Sequence, residues 1–231
     1  MCTVVIRVPD DSGPVRVLAV RDEDPARPWL PLGAWWPEHP DVRGIKDQLA
    51  GGAWLAVDDD KLAVLLNRAG GSDVVPPASR GTLVMGAMAR QPLPDPLTTL
   101  GFNLVEATAD GARITSWEGG SPRVTDLAPG THMIAHDDVD DPATPRVAAW
   151  LDEFAAAPTD GDRWWEAWLD VLSGSAGMEA TDDRAIVRDN RPHGFPTLTL
   201  LVCVVSLGPD GTDARMATLD RPGVWNDVTL D

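Results

Sequence analysis

Short runs of apolar and β-branched residues, cut by turn clusters, dominate the first half of the chain. Thr3 to Val8 is one such run and Val15 to Val20 the next. The cluster Asp10-Asp11-Ser12-Gly13 between them predicts a hairpin that begins at the chain start. Prolines at 25, 28, 31, 37 and 40 predict an irregular segment from Pro25 to Pro40, because proline lacks the N–H that a ladder needs. Gly51–Val57 and Leu62–Asn67 predict a second hairpin turning at Asp58-Asp59-Asp60. Their near-continuous apolarity suits strands covered on both faces. Residues 80–90 suit a short helix. Leu100–Thr108 and Ala112–Trp117 make a third strand pair around Asp110-Gly111, and His132–Ala135 a short fourth segment.

The period then changes. Apolar residues at 147, 150, 151 and 154 predict a helix over Arg146–Ala156. Trp164, Trp165, Trp168, Leu169 and Leu172 predict another over Asp162–Leu172, capped by Asp160 or Asp162. These tryptophans read as a packing face. Leu198–Leu207 and Ala214–Asp220 return as strands across Gly208-Pro209-Asp210-Gly211. Many hairpins with segregated helices predict an α+β fold, with antiparallel sheets covered by helices. No repeat or low-complexity linker divides the 231 residues, so one domain over 1–231 is expected.

Charge narrows the partners. A formal net charge of −17 repels a phosphate backbone and an anionic lipid surface, so nucleic acid is excluded as a partner. No apolar run reaches the ~18 residues that span a bilayer. The start, Met1-Cys2-Thr3-Val4-Val5-Ile6-Arg7, has no basic leader followed by a long apolar core, so a cytoplasmic location is expected. The two cysteines, Cys2 and Cys203, do not make a disulfide framework. Cys203, inside an apolar strand, reads as inert core.

Cys2 carries the candidate chemistry. Removal of Met1 would leave it with a thiol and a free α-amine together. A thiol titrates near ~8.5 and an α-amine near ~7.7–8.0, so the amine can serve as the base for its own neighbouring sulfur. A hairpin brings Arg21-Asp22-Glu23 to the chain start. Arg21 would lower the thiol pKa by its charge, and Asp22 would hold the amine through a charge-assisted hydrogen bond.

The chain resembles the NRDE family, also called Transport and Golgi organisation protein 2-like. The resemblance runs nearly end to end. It rests on Met1-Cys2 with its apolar strand, on Arg21-Asp22-Glu23, and on Gly51-Gly52-Ala53-Trp54-Leu55-Ala56. It continues through Lys61-Leu62-Ala63 to Asn67, Arg80-Gly81-Thr82-Leu83-Val84, Gly101-Phe102-Asn103-Leu104-Val105, and Leu127-Ala128-Pro129-Gly130-Thr131. That family is distantly similar to the cysteine N-terminal-nucleophile acylases, such as penicillin V acylase and bile salt hydrolase. The resemblance implies an αββα sandwich and hydrolysis of a non-peptide carbon–nitrogen bond through a cysteine acyl-enzyme. It implies Cys2 as nucleophile, Arg21 and Asp22 beside it, and Asn67 as a contributor to the oxyanion hole.

Three positions depart from the family pattern. Val20 stands where the motif has Asn. His136 stands where the segment after Pro129-Gly130-Thr131 usually ends in Asn. Gly194-Phe195-Pro196-Thr197 stands where an Arg is usual. The leading expectation is an N-terminal cysteine amidohydrolase acting on a small acyl amide, with no cofactor. The alternative is a non-catalytic carrier of an apolar ligand, such as haem, a lipid or an acyl group, on the same scaffold. A partner-binding scaffold without a pocket is a third reading. Trp29, Trp35 and Trp36, with His136, are the candidate substrate pocket. His132, His136 and the acidic run from Asp137 to Asp141 fit neither zinc nor calcium spacing, so no metal site is expected.

Overall fold

The computed structural model describes residues 2–10 and 13–230. Met1 lies outside them, as do Asp11 and Ser12 of the first expected turn. Two antiparallel sheets face each other. The first has five strands, β1 (Thr3–Val8), β2 (Val15–Glu23), β10 (Gly130–Ile134), β11 (Leu198–Gly208) and β12 (Gly211–Thr218), in the order β10-β1-β2-β11-β12. The second has β3 (Trp29–Gly33), β4 (Arg43–Asp47), β5 (Ala53–Val57), β6 (Lys61–Gly71), β7 (Leu100–Thr108), β8 (Gly111–Trp117) and β9 (Arg123–Asp126), paired in chain order.

Alternation along the strands sorts the apolar residues into three layers. Val4, Ile6, Val17, Ala19 and Cys203 of the first sheet meet Leu55, Val57, Leu62, Val64 and Val105 of the second. Behind the first sheet, Val5, Leu18, Val20 and Val202 pack against helices α2 (Pro145–Ala156) and α3 (Glu166–Ala176). Behind the second, Ala53, Ala63, Leu65 and Phe102 pack against α1 (Gly81–Met88). The layering is therefore α-β-β-α, as expected. Trp164, Trp165 and Trp168 are buried in the helical layer. Arg7, Arg16 and Arg215 of the sheet stack on their rings at 5.6, 4.7 and 4.7 Å from the ring centres. Among the described residues no helix is long and apolar enough to cross a membrane.

Two expectations need correction. Pro25–Pro40 is not irregular throughout, since β3 crosses it. β3 is an edge strand, bonded only to β4, and the register shifts between Leu30 and Gly33. An edge strand tolerates Pro31 because one side needs no N–H. The second tryptophan helix starts at Glu166, not Asp162, and its N-cap is Trp165 rather than an aspartate. Strands β4 and β9, short and mostly polar, had no apolar signature to announce them.

Candidate active site

The site lies at one end of the sandwich, where β1 begins and β2 ends. Thr3 faces Val20 in the β1–β2 ladder, so the next step of that register sets Cys2 against Arg21. Cys2 points between the sheets with Val4 and Ile6. Arg21 follows Val17 and Ala19 to that same face, and its guanidinium lies 5.0 Å from the Trp54 ring of the opposite sheet. Arg21 also pairs with Glu23 at 2.8 Å. The Cys2 sulfur is 3.7 Å from the carbonyl oxygen of Asp22. Cys2 is only 7% exposed. Burial pushes the thiol pKa up, against the pull of the positive charges at the chain start and Arg21 and the Asp22 contact.

Asp22, one residue on, points the other way. Its Oδ1 accepts the Thr199 hydroxyl at 2.6 Å, and its Oδ2 faces Asn190 Nδ2 at 3.4 Å. The register places Thr199 directly opposite it on β11. Thr199 Oγ1 accepts the Arg188 main-chain N–H at 2.8 Å, and Arg188 Nε donates to Asn190 Oδ1 at 3.0 Å. That second bond fixes the Asn190 amide with its nitrogen toward Asp22. Arg146, near the start of α2, donates to Thr3 Oγ1 at 2.9 Å. Burial lowers its pKa to about 10, Arg188 adds to the lowering, and Asp22 and Cys2 oppose it. The guanidinium stays charged at neutral pH. The alternation of β2 thus splits the Arg-Asp pair, with Arg21 on the thiol's face and Asp22 on the helical side.

The other expected residues are dispersed. Asn67 is exposed. Leu62, Val64 and Leu66 of β6 face Cys2's layer, whereas Ala63 and Leu65 face α1. Asn67 follows the latter, so its side chain is not brought to Cys2. Trp35 and Trp36 pack in the α1 layer. Trp29 packs against the cluster that contains Cys2. His136 stands just past β10, the neighbour of β1, and feels the charges of Arg146, Arg188 and the chain start. His132 is structural: Nδ1 lies 2.6 Å from Asp140 Oδ2, and Asp140 Oδ1 accepts the Met133 N–H at 2.8 Å.

Five residues of the site carried no sequence signal of their own role. Arg146, Arg188, Asn190 and Thr199 arrive from α2, β11 and the segment before it. Arg80 donates to Gly101 O at 2.9 Å. Burial lowers its pKa, while Cys2 and Glu23 oppose that lowering, which places it around the same thiol. It is brought there by a close approach: a Cβ on Gly52 would lie 2.4 Å from the Gly81 carbonyl carbon. A separate cleft of about 1200 Å³ lies on the outer face of the second sheet, beside α1. Leu83, Leu93, Leu104 and Val124 line it, and Cys2 does not.

Fold and site together define an α+β sandwich of two antiparallel sheets with a thiol at its chain start. The model of the Transport and Golgi organisation 2 family matches residues 1–148, and the chain belongs to that family. No curated protein matches the sequence. Among solved structures, the chain is similar to the Caenorhabditis elegans N-acylethanolamine-hydrolyzing acid amidase ortholog, with a TM-score of 0.48 and 14% identity, over 88% of this chain and 92% of that one.

Proposed function

We propose that this protein is an N-terminal cysteine amidohydrolase that cleaves a small acyl amide through a Cys2 thioester. One observation carries the reading: the Cys2 sulfur sits at a strand start, against Asp22 O and on the same face as Arg21. The raised thiol pKa means that sulfur is protonated at neutral pH, so attack requires a base. With Met1 removed, the α-amine of Cys2 is that base. Asp22, held by Thr199 and Asn190, fixes the amine as it gains the proton. Arg21 stabilises the negative charge that develops on sulfur and oxygen. A contribution from Asn67 to the oxyanion comes from its main chain, since its side chain faces outward.

The test combines two measurements. Intact mass of the purified protein gives the state of residue 1, and a panel of acyl amides gives turnover. Cys2→Ala is expected to abolish hydrolysis. Turnover that survives this substitution refutes the mechanism.

The second reading is a carrier of an apolar ligand. The cleft beside α1 favours it, because it is large enough for a drug-sized apolar molecule and lies apart from Cys2. Quenching of tryptophan fluorescence by haem or a fatty acyl chain, undiminished in Cys2→Ala, supports the carrier. Absence of such quenching removes it.

A further inference from the structure

His136 follows the end of β10 by two residues. In the β1–β10 ladder Val4 faces Ile134 and Val5 faces Met133. The ladder ends at the Val4–Ile134 pair, and the same register carried two residues further would set His136 opposite Cys2. Val4, Ile134 and Cys2 all point between the sheets, so alternation sends His136 to the same face.

The surroundings of the ring favour one tautomer. Nε2 lies 3.3 Å from Asp137 Oδ2, an oxygen that also accepts the Thr144 hydroxyl at 2.8 Å. A carboxylate oxygen only accepts, so a proton on Nε2 suits this approach. Nδ1 is then a bare lone pair. It is buried and has no hydrogen-bond partner among the described residues. From the opposite sheet, Asn103 donates Nδ2 to the Asp137 carbonyl at 2.9 Å. Its Oδ1 is turned away from that bond and is likewise buried without a partner. Asn103 itself is 0% exposed. Buried polar atoms left unpaired are rare, and two of them joined through the 136–137 segment point to a reacting group or a ligand.

Burial, with nearby positive charge, favours the neutral imidazole. Burial lowers its pKa from the ordinary value, and Asp137 opposes this. The positive charges of Arg146 on α2, the chain-start amine and Arg188 add to the lowering. On the β1 side the continued register sets Cys2 opposite it, and from β7 the uncharged Asn103 amide holds the neighbouring Asp137 carbonyl.

We propose that His136 is a second proton acceptor for Cys2, so that the thiol is flanked by an imidazole as well as by its own amine. This rests on the amidohydrolase reading. Cys2 gives its proton to His136 Nδ1 as sulfur bonds to the amide carbon and the carbonyl electron pair moves to oxygen. When the oxyanion collapses, the C–N bond breaks and the leaving nitrogen takes the proton from Nδ1. A thioester remains. Water then attacks it, giving a proton to Nδ1. The C–S bond breaks, the carboxylic acid leaves, and sulfur recovers that proton. Asn103 is a positioning residue, which holds the 136–137 segment against the second sheet.

An imidazole base frees the thiol from dependence on a free α-amine, and this is open to measurement. The readout is the rate of Cys2 alkylation by iodoacetamide against pH, assigned by peptide mass spectrometry. It is compared in the natural chain, in His136→Asn and His136→Gln, and in a chain extended before Cys2 so that its nitrogen stays in a peptide bond. The natural and extended chains should share a step below the ordinary imidazole pKa. Both His136 variants should lose that step and label at least about tenfold more slowly at neutral pH. Superimposable profiles in the natural chain and both variants overturn the inference and leave the amidohydrolase reading standing. Labelling lost only in the extended chain assigns the base to the α-amine alone and also overturns it. A Cys2 that is inert in the mature natural chain overturns the reading itself. Should both substitutions unfold the protein, the presence or absence of the step in the natural and extended chains decides.

Discussion

Cys2 and Cys203 belong to the same buried layer between the sheets, and both are free thiols. Their surroundings are otherwise opposite. Cys203 sits mid-strand in β11, flanked by Ala19 of β2 and Met216 of β12. Burial pushes its pKa up to about 12, with only a weak opposing pull from Arg43. Cys2 sits where its ladder ends. Burial raises its pKa too, but the chain start, Arg21 and the Asp22 carbonyl pull it back. Placement inside the apolar core therefore does not distinguish a reactive sulfur from an inert one. Polar side chains converge where strands stop, and on the proposed reading that end of the sandwich gives one thiol a chemistry the other lacks.

The strongest way to break this contrast is to exchange the two deletions. Cys2→Ala should lower acyl-amide turnover on the order of 10³-fold or more. Cys203→Ala should leave turnover intact and cost about 1 kcal/mol in denaturant unfolding. Equal effects on turnover would erase the distinction. Next in size is Asp22→Ala. It strips the carboxylate from Thr199, Asn190 and the buried Arg146, and should cost about 3–5 kcal/mol. Thr199→Val keeps the shape but removes the hydroxyl at 2.6 Å, for about 1–3 kcal/mol and slower labelling of Cys2 but not of Cys203. A further contrast is alkaline. The folded Cys203 thiol keeps a proton that the unfolded chain releases, so its contribution is full below its ordinary pKa of 9.0 and falls as pH rises toward about 12. That loss is roughly 1.4 kcal/mol per pH unit, and Cys203→Ala should remove it from the alkaline unfolding curve.

Much of this was legible in the chain, for identifiable reasons. Strands β1, β2, β5, β6, β7, β8 and β11 carry their own apolar signature and turn residues. β4 and β9 do not, because a strand near a sheet edge needs less apolar cover, and in β3 Pro31 masks an apolar run. Cys2, Arg21 and Asp22 were readable because one hairpin joins them. Asn67 was misplaced because Leu62–Leu66 is apolar on both faces, which hides the alternation that sends residue 67 outward. Trp35 and Trp36 were drawn to the pocket by proximity in sequence, yet they pack behind the sheet on α1. Thr199, Asn190, Arg188 and Arg146 were invisible because pairing across more than half the chain brings them to Asp22, and no local pattern encodes that.

The placement of β2 between β1 and β11 has a consequence for how the protein is made. Thr199 is 177 residues from the aspartate it grips. Synthesis must therefore reach β11 before the first sheet can close around β2. A fragment ending at residue 148 would contain every residue that the family model spans and still lack Arg188, Asn190 and Thr199. Cys2 is therefore made long before the groups that hold Asp22.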